Sequence, residues 1–170
     1  MELKAILSGA SLTKEQVAAI VTWIGAGQQR FDELFGIFTT GSNRMVQRTA
    51  WPLSYCVIQH PSLIQSHYKT IIQLLTAPGQ PAAVKRNILR LLDQGAVFPK
   101  KFHGQIIDFC FKTLEDPKEP IAARAFSMGI LSRFTDTYPE IHPELKTVVE
   151  LILPNASPGV KSRALKILKQ

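Results

Sequence analysis

The chain has 170 residues, 45% of them hydrophobic and 19% charged, with a net charge of +7. That length supports one domain with a sizeable core, and that composition excludes a disordered tail. No apolar run approaches the roughly 20 residues of a membrane-spanning helix, so no membrane partner is expected.

The opening MELKAILSGASLTKEQ reaches polar and acidic residues too soon for a signal peptide. Thr13 reads as an N-cap, with Gln16 completing a capping box, for a helix ending near Trp23. The segment GAGQQR at 25–30 lacks the spacing of a phosphate loop and reads as a turn. Paired helices follow at residues 29–39 and 43–58, 61–76 and 81–93, 101–115 and 119–135, and 142–153 and 158–169. Pro52 falls inside one of them and predicts a kink. QGAVFPKK at 94–101 is the longest loop, and neither a strand pattern nor a domain-dividing linker interrupts the series. Cys56 and Cys110 lie in apolar stretches and read as reduced core residues of a cytoplasmic protein.

One joint recurs along the chain. LEDPKEPIAARAF closes a helix at Leu114, turns through two prolines and reopens at Ile121. The same form appears at Phe38 and Val46, at Leu75 and Val84, and at Leu153 and Val160. The closing residues are 37, 39 and 39 apart, and the opening residues 38, 37 and 39 apart. Proline cannot continue the first helix, yet it suits the first turn of the second, where its missing N–H has no partner to lose. Val46, Val84, Ile121 and Val160 should therefore occupy equivalent buried positions. A two-helix unit cannot bury its apolar face alone, so neighbouring units must supply the core.

These joints, above all LEDPKEPIAARAF and LPNASPGVKSRAL, resemble the HEAT-repeat family of α-solenoids over about residues 29–170. TTGSN lacks the turn prolines, and Asn87 and Ile88 replace the Arg-Ala pair, so two copies depart from the pattern. The resemblance implies an all-α, α-α superhelix of about nine or ten helices with no sheet. Residues 1–27 would form capping helices and 29–170 four hairpins, in a single domain. It also implies a right-handed, curved stack whose second helices line the concave side.

Charge is sorted by helix. The second helices hold eleven basic residues against Asp93, Glu119 and Asp136, whereas the first helices are slightly acidic. Counted from the opening Val or Ile at about 100° per residue, Arg48 and Arg86 fall near 200°, Arg90 and Lys166 near 240°, and Arg124 and Arg163 near 300°. These six residues form a candidate stripe for an anionic or other partner. The competing reading is a solvated face, or guanidinium groups bonded to turn carbonyls. The helix after Ile121 has apolar residues around most of its girth, including Phe126. It should be the most buried helix, and Phe126→Ala should cost about 3–5 kcal/mol.

No catalytic set emerges. His60, His67, His103 and His142 show no metal-ligand spacing, and two cysteines with these histidines do not make a zinc site. No cofactor is called for. The reading is a non-catalytic interaction module binding a protein or peptide on its concave face. The alternative is a nucleic-acid-binding solenoid using the basic stripe, distantly similar to the HEAT-like DNA alkylation-repair glycosylases. Those need aromatic residues near the lesion, and here Trp23 and Trp51 read as core.

Overall fold

A computed structural model describes residues 1–95 and 97–169, so Ala96 of the 94–101 loop lies outside it. The described residues form ten α-helices and no strand. They are α1 (Leu3–Ser8), α2 (Lys14–Ile24), α3 (Gln28–Thr40), α4 (Asn43–Gln59), α5 (Tyr68–Thr76), α6 (Ala82–Asp93), α7 (His103–Glu115), α8 (Ile121–Phe134), α9 (Ile141–Ile152) and α10 (Pro158–Leu168). The expected helices at 61–76 and 101–115 begin instead with 3-10 turns, Pro61–His67 and Lys100–Phe102. Contacts gather the chain into two compact units, Met1–Pro99 and Lys100–Gln170, with the boundary in the 94–101 loop.

Local chemistry sets the helix starts. Thr13 Oγ1 accepts from the Gln16 N–H at 3.2 Å, and Gln16 Oε1 accepts from the Thr13 N–H at 3.0 Å, the reciprocal pair that Thr13 and Gln16 suggested. Ser42 and Ser157 cap α4 and α10 in the same way on one side. Pro81 and Pro120 occupy the N-cap positions of α6 and α8. In the Leu114 joint, the Lys118 N–H donates to Asp116 Oδ1 at 2.8 Å, which fixes the turn ahead of Pro120.

In the first unit α4 is the central helix, packed against α1, α2, α3 and α6. Its Val46, Leu53, Cys56 and Val57 are buried, and so are Phe31, Leu34 and Phe38 of α3 and Ile88, Leu91 and Leu92 of α6. The helix continues through Pro52, which is itself buried. In the second unit α8 takes the central place, against α7, α9 and α10. Only Ile121 and Arg133 of α8 are exposed, but α6 is equally enclosed, with only Ala82 exposed. The most buried helix is therefore one of two.

The expected equivalence of the four opening residues fails at one of them. Val46, Val84 and Val160 are buried, whereas Ile121 is 59% exposed. Pro120 caps α8, which leaves Ile121 in the first turn, facing outward. Val84 stands three residues after its cap Pro81, and Val160 three after Ser157; the residue three after Pro120 is Ala123, fully buried. Phe126, measured from that origin, is half-buried rather than central, so the 3–5 kcal/mol expected for its truncation is too high. The core positions of α8 are Met128, Ile130, Leu131 and Phe134.

This correction can be tested by urea denaturation. Ile121→Ser should change stability by less than about 0.5 kcal/mol, as surface substitutions do, whereas Ala123→Leu should cost about 1–3 kcal/mol by overpacking. The opposite ranking would return Ile121 to the core.

Candidate functional site

The six cations of the candidate stripe divide between the two units. Arg48, Arg86 and Arg90 belong to the first, on α4 and α6, which pack together. Arg124, Arg163 and Lys166 belong to the second, on α8 and α10, which also pack together.

Half of the six are engaged by backbone. Arg48 Nη1 donates to the Leu7 carbonyl at 3.0 Å and to the Gly9 carbonyl, and its Nη2 donates to the Ala10 carbonyl at 2.6 Å. Arg44, one turn earlier, donates to the Gly9 carbonyl at 2.7 Å. The last carbonyls of a helix have no intrahelical donor and carry the negative end of its dipole, so a guanidinium with five N–H groups suits them. α1 has six residues, too few to be stable alone, and these arginines hold its end to α4. Arg124 Nε donates to the Leu114 carbonyl at 3.0 Å across the joint. Counted from Ala123 rather than Ile121, Arg124 falls near 100°, beside Lys85 and Lys161 and away from Arg163. Arg163 Nη1 donates to the Ala125 carbonyl at 3.0 Å, with its guanidinium 5.6 Å from the Phe126 ring centroid.

Arg86, Arg90 and Lys166 differ. Among the described residues their side chains make no hydrogen bond or ion pair. Arg86 and Arg90 are half-buried, and Lys166 is exposed.

The first unit also holds a groove of about 420 Å3 between α2 and α4. Val17, Val21 and Trp51 supply apolar wall, and Lys14, Tyr55 and Gln59 stand along it. Trp51, expected in the core, is half-buried, and Tyr55 is 45% exposed. The sequence carried a signal for this: Trp51 and Tyr55 are four apart and must share one side of α4. Trp23 is likewise half-buried, with the Arg30 guanidinium 5.0 Å from its ring.

Two of the histidines, His67 and His103, serve as ties. His67 Nε2 lies 2.7 Å from Asp32 Oδ1, which also accepts from Gln28 Nε2 at 2.7 Å, and the His67 ring lies 4.0 Å from that of Phe35. The cluster joins α3 to the turn at 61–67. His103 Nδ1 meets the Tyr138 hydroxyl at 2.9 Å. Among the described residues no group of three or more His, Cys, Asp or Glu is arranged to hold a metal ion, and no helix is long and apolar enough to cross a membrane. Cys56 and Cys110 are free and buried; burial pushes the Cys56 thiol up to about 12.

Comparison with known proteins shows that a family model described as a HEAT repeat domain matches residues 3–170. No curated protein and no solved structure matches the chain.

Two outcomes follow from these contacts. Arg48→Ala should cost about 1–2 kcal/mol and speed amide exchange across Leu3–Ser8, while Arg86→Ala should stay within about 0.5 kcal/mol. Equal losses would remove the distinction between engaged and unengaged arginines. Cys56 should resist alkylation at pH 8 in the folded protein, since the thiolate is the nucleophile. Its raised pKa also leaves stability untouched below about pH 9, the unfolded value, and erodes it as pH climbs from there towards 12. A thiol labelled rapidly at pH 8 without unfolding would contradict its burial.

Proposed function

The chain belongs to the HEAT repeat domain family, and on that premise we propose that it is a non-catalytic interaction module that binds a protein or peptide partner on the second helices of its hairpins. The family is one of helical repeat scaffolds and is generally non-catalytic. The observation that supports the reading is the outer surface of α4. Tyr55 and Ile58 are 45% and 47% exposed on a helix otherwise packed against four others. Bulky apolar side chains left side by side on a packed helix are what an interface needs.

The nucleic-acid alternative draws support from Arg86, Arg90 and Lys166, whose charges have no internal partner among the described residues. It is weakened by Arg48, Arg124 and Arg163, whose guanidinium groups already serve carbonyls. The free thiols suit a reducing, cytoplasmic setting for either reading.

A photo-crosslinking side chain at Ile58 tests the proposal. It should yield a discrete protein adduct in extract from the source cell, and the same group at Glu33, an exposed position of α3, should not. Duplex DNA should not be retarded at low salt. Retardation that falls steeply as salt is raised, without a protein adduct, would favour the alternative.

A further inference from the structure

We propose that the groove between α2 and α4 is a docking site for an acidic peptide segment that carries a bulky apolar anchor. The proposal rests on the interaction-module reading and names the chemistry of its partner.

The anchor follows from shape and lining. About 420 Å3 lies within the ~300–1,000 Å3 typical of small-molecule clefts and leaves room for a bulky side chain. Val17, Ala18 and Val21 offer no hydrogen-bonding side-chain atoms, and Trp51 and Tyr55 add aromatic lining beside Thr22. An aromatic or branched aliphatic side chain gains from such walls. Thr22, Tyr55 and Gln59 offer polar side-chain atoms to which a peptide backbone could bond.

Acidity follows from charge. Lys14 stands on the groove itself, and its side chain has no partner among the described residues. Glu15, the adjacent acid, is not among the groove's lining residues. On the far side, α4 packs against α6. From the buried Val46 and Val84, Tyr55 and Gln59 fall at about 180° and 220°, and Arg86 and Arg90 at about 200° and 240°. The two unengaged arginines, like Tyr55, thus lie on the side of their own helix away from its buried opening residue. Of the cations on α4 and α6, Arg86 and Arg90 are the two whose side chains have no internal partner among the described residues, and the two helices carry one acid, Asp93. A segment anchored at Trp51 and extending over α6 would meet positive charge at both ends of its path. Acidic side chains flanking the anchor complement that field and speed encounter.

The test uses the full chain. A displayed library of random peptides of about 16 residues, ~four helical turns in length, is selected on it. The enriched sequence, made synthetically with a fluorophore, is then titrated by anisotropy. Enrichment of Asp and Glu around one aromatic or aliphatic residue is expected. Ala18→Trp, which plugs the groove from an exposed position, and Arg86→Glu with Arg90→Glu should each weaken binding at least about tenfold, with thermal unfolding of both variants unchanged. Should either variant unfold, Tyr55→Ala and Lys14→Glu, both at the groove margin, provide the same reading.

Failure to enrich any peptide, enrichment of basic sequences, or binding indifferent to Ala18→Trp would overturn the proposal. So would displacement of the peptide by duplex DNA with a steep salt dependence, which would give this face to nucleic acid. A surviving protein adduct at Ile58 alongside any of the first three results would sink the groove and leave the interaction module standing. Loss of both would sink the module as well.

Discussion

A helical hairpin of this size covers only part of its own apolar surface, and everything else in the structure follows from how the remainder is covered. In the first unit α4 does most of the covering, with α2, α3 and α6 around it. In the second unit α8 does so, among α7, α9 and α10. Both are second helices of their pairs. A central helix must be apolar over much of its girth, and α4 and α8 carry buried residues accordingly. What polar surface is left on such a helix is narrow, and any partner of that face must meet its few outward side chains. Tyr55 and Ile58 of α4 are among them.

The architecture was legible because its signals are local and repeated. Prolines at the joints, the Thr13–Gln16 capping box and a period near 38 residues each act within a turn or two of where they stand. The error at Ile121 shows where local reading stops. Ile121 and Ala123 are both apolar, and bulk favoured the isoleucine. The deciding feature was Pro120 as the cap, which puts Ile121 at the first position of α8 and Ala123 at the position that Val84 and Val160 hold in α6 and α10. That single shift also carried Arg124 off the arc assigned to it and left Phe126 half-buried. The candidate site was less legible for a related reason. A sequence gives the angle of an arginine on its helix but not the carbonyl within its reach, and Arg48 and Arg163 bind groups 38 or more residues away. The groove beside Trp51 depends on how α2 meets α4, which neither helix states alone.

The distribution of charge takes a different meaning once the ties are counted. The net charge of +7 suggests a strongly basic surface. Yet guanidinium groups at Arg44, Arg48, Arg124 and Arg163 spend their donors on carbonyls within the protein. Positive potential directed at a partner comes from a smaller set, in which Lys14, Arg86, Arg90 and Lys166 stand out. Overall charge therefore overstates how much of this protein is adapted to anions.

The arginine-to-carbonyl ties also bear on how such a chain can change over generations. An ion pair needs two side chains, and a substitution at either one breaks it. A tie from Arg124 to the Leu114 carbonyl needs one side chain, because every residue type presents the same acceptor. The acceptor side of each tie is thus indifferent to mutation so long as the helix ends in place. The two helices of a hairpin can drift apart in sequence while the fastening between them persists, and new ones can be acquired by changing a single codon to arginine.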